Sequence, residues 1–152
     1  MSNEYIVKNV DEITANSSFE FPLNMAMASA WVLGNFKGIN LKVIDTRKVS
    51  SLADYYVLAS ASNTTQASSM ADQVVQQMKR KDMKVVSKEG YHENADWILI
   101  DMGDFLVHIF QETSRGVYDI DGLWDAPQVE IPNEYYHGED EANSADEDKG
   151  YF

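Results

Sequence analysis

Two stretches of the chain repeat their apolar residues at helical spacing. The first runs from Pro22 to about Phe36, where proline suits an opening position and Gly38 can close the end. The second covers residues 62–83, where Asn63 to Thr65 offer oxygens that can cap the first amides. Three consecutive cations stand in its last turn, where they suit the negative end of the helix dipole. The sequence therefore predicts two amphipathic helices.

Other stretches show the alternation or the short apolar runs of strands. The predicted strands cover residues 41–47, 54–61, 83–90, 97–101 and 105–110. The second of these is an almost continuous apolar run, which is typical of a strand covered on both faces. The last two are joined by Met102-Gly103-Asp104, which predicts a β-hairpin.

These elements predict an α/β (α+β) fold with a mixed sheet of about five strands and helices packed on it. The helix between the second and third strands can serve as a crossover between parallel neighbours. A short helix or turn is expected within residues 111–124. We treat residues 1–20 as a partly disordered extension, residues 21–126 as the folded domain, and residues 127–152 as a disordered acidic tail.

The charge of the chain narrows the classes of partner. Its 152 residues carry a formal net charge of −13, and from Gln128 onward eight acids face Lys149 alone. A protein needs clustered Lys and Arg to release counterions from a phosphate backbone, so general binding to such a backbone is not expected, and neither is direct sequence-specific binding to nucleic acid. A basic protein is the favoured partner.

The composition also excludes several kinds of site. The chain has no cysteine, so we expect no disulfide and no thiolate metal site. No apolar run approaches the roughly 20 residues that span a bilayer. The first twelve residues do not resemble a secretion or organelle leader, so a cytoplasmic location is expected by default.

The densest group of reactive side chains is Asp101, Asp104 and His108 around Gly103. A metal or acid–base site would need a further element to close it, whereas acids beside a turn glycine commonly satisfy exposed amides. His108 lies among apolar neighbours, which favours a partly buried ring bonded to an acid or a carbonyl over a catalytic base. The chain has no glycine-rich phosphate loop, so we expect no catalytic residue, metal or cofactor.

Trp97 shares a strand face with Leu99 and Asp101, while Ile98 and Ile100 point the other way. The aliphatic face is expected to enter the core. The opposite face then lies either under a helix or in solvent. If it is exposed, an aromatic beside a carboxylate has the composition of a binding hot spot for a basic partner.

Three segments together resemble the ribosomal silencing factor (RsfS, Iojap) family: "VIDTRKVSSLADYYVLASASNTTQ", "KEGYHENADWILIDMGDFLVHIF" and "RGVYDIDGLW". The characteristic residues are Asp45, Ser50-Ser51, Asp54-Tyr55, Ala71-Asp72, Glu89-Gly90, Trp97, Asp101, Gly103-Asp104, His108, Arg115, Tyr118 and Leu123-Trp124. Their order and spacing over about residues 22–125 make the set specific. The chain departs from the family pattern at Ser60, where Gly is frequent, and at Gln66, where Arg is common.

The resemblance implies a nucleotidyltransferase-like fold without its active site, and a binder that catalyses nothing. Family members bind ribosomal protein fourteen of the large subunit, block joining of the small subunit and lower translation when nutrients are short. Several are reported as homodimers, so monomer and dimer both stay open. We hypothesise that the interface is formed or supported by Glu89, Trp97, Leu99, Asp101, Met102 and Asp104. The alternatives are a nucleotidyltransferase-like enzyme that uses the acids and histidine of the hairpin, and an adaptor for another basic protein.

Overall fold

The structure, a computed structural model, describes residues 3–90, 96–118 and 126–136. The helices are α1 (Asn3–Thr14), α2 (Leu23–Asn35), α3 (Thr64–Arg80) and α4 (Glu112–Tyr118), followed by a 3-10 helix (Asn133–Tyr135). The strands are β1 (Ile39–Asp45), β2 (Tyr55–Ala61), β3 (Ser87–Glu89), β4 (Trp97–Asp101), β5 (Phe105–Gln111) and β6 (Gln128–Val129). None of the helices in these ranges is long and apolar enough to cross a membrane.

The strands form one six-stranded mixed sheet in the order β3-β4-β5-β2-β1-β6. Only β2 and β5 run parallel among the described pairs, and both occupy the centre. Every residue of β2 is buried, which confirms the prediction of a strand covered on both faces. The mixed sheet with packed helices confirms the predicted fold class, although β6 was not foreseen.

The two predicted helices are present as α2 and α3. Asn63 caps α3 by accepting a hydrogen bond from the backbone N–H of Gln66 at 2.8 Å. Pro22 stands one residue before α2, at its N-cap, and makes no side-chain capping bond. Gly38 closes α2 as expected, since its N–H donates to the Leu33 carbonyl at 2.8 Å.

The connection through α3 differs from the prediction. The helix leads from β2 to β3, but β3 pairs with β4 at an edge of the sheet, and β5 is the parallel neighbour of β2. The reason lies in the side chains. All three residues of β3 are exposed, whereas six of the seven residues of β5 are buried. A short polar strand suits an edge, and an apolar one suits the centre.

The expectation of partial disorder at the N-terminus is wrong for residues 3–14, which form α1. Ile6 and Val10 are buried one helical turn apart, and Ile13 packs against the same core. This apolar stripe is narrow, so its period is weak in a stretch otherwise rich in polar residues. The narrow stripe is sufficient because α1 packs on α2 and covers only a narrow strip of the α2 surface.

The predicted tail is also ordered at its beginning. β6 pairs with β1, and the 3-10 helix places the Tyr135 side chain in the core at 4% exposure. Gly34 of α2 makes room for this segment, because a Cβ there would overlap the Tyr135 carbonyl. The folded domain therefore reaches at least Tyr136. The rest of the predicted tail, and the predicted return of Leu123 and Trp124 to the body, lie outside the described residues.

The sheet carries apolar clusters on both faces. Helices α2 and α3 cover one face, α1 packs on α2, and all three contribute to the main core with residues such as Val57, Ile98 and Val107. The second cluster lies on the opposite face and contains Ile44, Ala53, Tyr56, Leu58, Leu106 and Phe110. Trp97 and Leu99 pack at its margin and are only partly buried. The second face is therefore the one on which candidate binding residues reach solvent.

Candidate protein-binding face of the sheet

Strand β4 alternates between the main core and the second face. Ile98 and Ile100 are 2% and 0% exposed, whereas Trp97, Leu99 and Asp101 are half-buried. This confirms the predicted division of the strand. The three half-buried side chains form one row that is only partly in solvent.

The neighbouring edge strand extends this row. Glu89 of β3 stands opposite Leu99, and Ser87 stands opposite Asp101, so both share the outer face of β4. Glu89 is exposed. We call Glu89, Trp97, Leu99 and Asp101 the Trp97 face. It presents an indole and a leucine together with two carboxylates, which lie nearest to Leu99.

The Trp97 face is tied to the second cluster by a cross-strand contact. The Trp97 indole Nε1–H donates a hydrogen bond to His108 Nδ1 at 3.1 Å. The two rings are stacked with centroids 5.6 Å apart, and Trp97 also stacks on Phe110 at 5.2 Å. His108 was expected to bond an acid or a carbonyl, and the indole takes that place.

His108 is 3% exposed, and Tyr56 packs on its other side with ring centroids 4.9 Å apart. Burial lowers the pKa of His108 to about 4, so the ring is neutral near pH 7. Because Nδ1 accepts the indole proton, Nε2 carries the ring proton of the neutral form. Within the described residues Nε2 has no hydrogen-bond partner. A neutral, enclosed ring held by tryptophan has the character of a core residue.

The two aspartates of the hairpin serve its turn. Asp101 Oδ1 accepts the Gly103 N–H at 2.8 Å, and Gly103 adopts a φ of +85° that favours glycine. Asp104 is exposed, and its carbonyl accepts the Asp54 N–H at 2.9 Å. In the part of the chain that is described, no group of three His, Cys, Asp or Glu side chains is placed to hold a metal ion.

Of the six hypothesised interface residues, the four of the Trp97 face lie together. Asp104 is at the hairpin tip, beyond the end of that row. Met102 is 2% exposed and belongs to the main core, so it can support the hairpin but cannot contact a partner. A hairpin loop of three residues sends its first side chain inward here, which the turn signal alone did not reveal.

Two supporting residues were not foreseen. Gly90 has a φ of +87°, and a Cβ there would overlap the carbonyl of Trp97. Only glycine therefore lets the chain after β3 pass so close to the start of β4. Arg115 of α4 is buried and donates to the Asn40 carbonyl at 2.5 Å and to Ser60 Oγ at 2.9 Å. The motifs contain both residues, but their spacing gave no sign of these contacts.

The two departures from the family pattern have structural partners. Ser60 supplies the hydroxyl that accepts from Arg115. Gln66 accepts from the Ser62 N–H at 2.9 Å and donates to the Lys37 carbonyl at 3.0 Å. It therefore joins the start of α3 to the turn after α2. Neither position belongs to the Trp97 face.

Comparisons with known proteins agree with this architecture. A crystal structure of a Bacillus halodurans protein superimposes with a TM-score of 0.60 at 26% identity, covering 72% of this chain and 96% of that one. The ribosomal silencing factors RsfS of Chromobacterium violaceum and Haemophilus influenzae are 34% and 33% identical over 92 residues. Those alignments cover 60% of this chain and 75% and 89% of the two relatives.

A plant protein, the mitochondrial Iojap-related protein of Arabidopsis thaliana, is 32% identical over 100 residues, covering 62% of this chain and 53% of the relative. The sequence model of the family described as "ribosomal silencing factor during starvation" matches residues 21–150. This match spans most of the chain and includes every element from α2 to the 3-10 helix. The chain belongs to the RsfS family of ribosomal silencing factors.

Proposed function

We propose that the protein binds ribosomal protein fourteen of the large subunit through the Trp97 face. A protein seated where the small subunit must dock excludes it by volume, and translation falls. In this proposal the repression operates when nutrients are short. The observation that carries the proposal is the half-buried row of Trp97, Leu99 and Asp101 on the sheet face opposite α2 and α3.

The chemistry of the row suits a basic protein with some apolar surface. Tryptophan is enriched among residues that dominate interface energies, and Leu99 adds apolar area beside it. Glu89 and Asp101 lie on the same face beside Leu99 and can meet Lys or Arg of the partner. The net charge of −13 adds long-range attraction to a basic surface, which raises the rate of encounter.

The aromatic anchor is ordered before a partner arrives. The hydrogen bond to His108 and the stacking on Phe110 hold the indole in one orientation. An immobilised side chain has less rotamer entropy to lose on binding, commonly about 0.5–1.5 kcal/mol for a mobile one. Trp97 is therefore both a contact and a preformed part of the interface.

The direct test is sedimentation through a sucrose gradient. Purified protein added to separated subunits should travel with the large subunit and reduce the peak of joined ribosomes. Unchanged profiles at saturating protein would exclude the proposed function. Calorimetry with purified ribosomal protein fourteen alone then shows whether that protein is sufficient for binding.

The competing roles have their own outcomes. A pull-down read by mass spectrometry that recovers a different basic protein as the main partner would favour an adaptor. Saturable heat with nucleotides and magnesium would favour a nucleotidyltransferase-like enzyme, although Asp101, Asp104 and His108 form no common site here. The cytoplasmic location belongs to the same proposal, because the protein must meet ribosomes where they translate.

A further inference from the structure

A basic groove lies at the sheet edge next to the Trp97 face. Five of the 12 Lys and Arg residues of the chain fall within residues 79–88, with Asp82 as the single acid among them. Three of them, Lys79, Lys84 and Lys88, line an open groove of about 500 Å³ between the end of α3 and β3, and Asp82 is the one acid among the described residues of its lining. In a chain of net charge −13 this is a local reversal of sign.

The remaining two cations of this segment anchor it to the body. Arg80 and Lys81 both bind Asp11 Oδ1 of α1, at 2.9 Å and 3.2 Å. Burial raises the pKa of Asp11, but the hydrogen bonds from Arg80 and Lys81 outweigh it and hold that pKa below its usual range. The helix end therefore keeps a fixed place, and the lysines that line the groove project from a supported backbone.

The groove and the Trp97 face share strand β3. Ser87 lines the groove and stands opposite Asp101, while Glu89 stands opposite Leu99 on the outer face. Lys88 lies between them in sequence and points to the other side of the strand. A partner held on the Trp97 face would therefore have the groove beside it at the edge of the interface.

We propose that this groove binds the phosphate backbone of RNA, and that in the complex it takes ribosomal RNA next to the protein that the Trp97 face holds. The choice of ribosomal RNA rests on the proposed function, whereas the affinity for RNA does not. The earlier expectation against nucleic acid rests on the charge of the whole chain. Binding of a phosphate backbone depends on local clustering of cations, and it reads no base sequence.

The size and charge of the groove favour RNA over an acidic peptide. Three residues separate Lys84 from Lys88, so their Cα atoms are four steps and at most about 14 Å apart, a distance that spans a few phosphates. At physiological salt the Debye length is about 8 Å, so lysines this far apart are largely screened from one another and each has to meet a phosphate by direct contact. RNA presents its phosphates at high density on a stiff chain, and it gains free energy by releasing counterions. A disordered acidic peptide would also pay an ordering cost.

The test compares two triple variants of the full chain. Lys79→Gln/Lys84→Gln/Lys88→Gln removes the charges of the groove, and Lys8→Gln/Lys37→Gln/Lys48→Gln makes the same change of net charge at other exposed sites. Affinity for purified large subunits is measured between 50 and 200 mM salt. Each phosphate contact adds about 0.7–0.9 to the slope of log affinity against log salt concentration. With three contacts, the affinity of the wild type should fall roughly 20- to 40-fold more than that of the groove variant over this range. The control variant should keep the wild-type slope.

Two further measurements separate this proposal from the proposed function. Anisotropy with a labelled 20-base-pair RNA duplex at 50 mM salt should show weak binding by the wild type, lost in the groove variant and kept in the control. Calorimetry with ribosomal protein fourteen alone should give equal affinities for the wild type, the groove variant and the control variant. Failure of every protein to bind large subunits would contradict the proposed function and leave the duplex measurement to decide on the groove.

Several outcomes would overturn the groove assignment. Equal salt slopes for wild type and groove variant would do so, as would an equal response of the two triple variants to the RNA duplex. Loss of affinity for the isolated ribosomal protein in the groove variant would assign the lysines to the protein interface. Tighter binding of poly-glutamate than of RNA at equal charge would assign the groove to acidic polypeptides.

Discussion

Trp97 donates its indole proton to Nδ1 of His108 across β4 and β5, at 3.1 Å, with the two rings stacked. One residue of the pair lies at the surface and the other is buried. The bond supplies a donor to a histidine nitrogen that solvent does not reach, and it orients the indole that the Trp97 face presents. The Trp97 face and the second cluster are therefore one structural unit.

Replacement of Trp97 should separate its two roles. Trp97→Ala should weaken partner binding by about 2 kcal/mol or more if the indole is a hot spot. Trp97→Phe keeps a stacking ring but leaves His108 Nδ1 without its donor, which should cost roughly 1–3 kcal/mol of folding stability. Denaturant unfolding and calorimetry measure the two effects. The control is Tyr5→Ala, which removes an exposed aromatic side chain on α1. If Trp97→Ala weakens binding by less than a few tenths of a kcal/mol, Trp97 has a purely structural role.

The buried histidine should make the protein sensitive to mild acid. In the folded protein the pKa of His108 is about 4, against an ordinary value of 6.5, so between these values the unfolded chain binds the extra proton. Stability is then complete above pH 6.5 and falls as the pH drops towards 4. The loss from pH 7.5 to pH 5 should be about 2 kcal/mol in the free energy of unfolding. The His108→Gln variant should lose about 2 kcal/mol less free energy of unfolding over the same pH range. Parallel curves of stability against pH for the variant and the wild type would show that His108 does not cause the acid sensitivity.

The carboxylates of the Trp97 face can be neutralised without changing its shape. Asp101→Asn keeps an oxygen that can accept the Gly103 N–H, and Glu89→Gln alters an exposed side chain. The double variant should bind a basic partner more slowly and with a weaker dependence on salt, while its stability stays within about 0.5 kcal/mol. Stopped-flow association at two salt concentrations measures this. The control variant Glu12→Gln/Asp72→Asn makes the same change of net charge at other sites. If it slows association equally, the effect comes from net charge and not from the Trp97 face.

Local patterns predicted the elements better than their arrangement. The runs in β2 and β5 identify buried strands, and the alternation in β4 separates Ile98 from Trp97 correctly. These features depend on the side chains of one strand. The pairing of β2 with β5 depends on which of several distant strands lies beside β2. The residues of β2 alone do not specify that neighbour.

The candidate site divides in the same way. The common face of Trp97, Leu99 and Asp101 could be predicted because one strand carries all three. The burial of Met102 in the main core could not be predicted, because the direction of a side chain in a three-residue loop depends on the packing beneath it. The basic groove was missed because its lysines come from a helix end and the segment after it, inside a chain whose total charge hides them.

Two glycines with similar backbone angles should tolerate alanine very differently. At Gly103 a Cβ would meet only Val86 Cγ2, at 3.7 Å, so Gly103→Ala should cost about 1 kcal/mol of backbone strain. At Gly90 the Cβ would overlap the Trp97 carbonyl, so Gly90→Ala should cost more and should also displace the start of β4. Thermal unfolding measures the loss of stability, and near-ultraviolet circular dichroism of tryptophan measures the displacement. Equal costs would show that Gly90 does not constrain Trp97.

The segment after Pro127 should stabilise the domain despite its acidic composition. A chain that ends at Ala126 loses β6 and the buried Tyr135 side chain, and burial of one large side chain contributes roughly 1.5–3 kcal/mol. A chain that ends at Tyr136 keeps both, so its unfolding free energy should match the full chain within about 0.5 kcal/mol. Gly34→Ala should reproduce part of the first loss, since its methyl group would overlap the Tyr135 carbonyl. If both shortened chains unfold at the same denaturant concentration as the full chain, the docking of Tyr135 contributes nothing to stability.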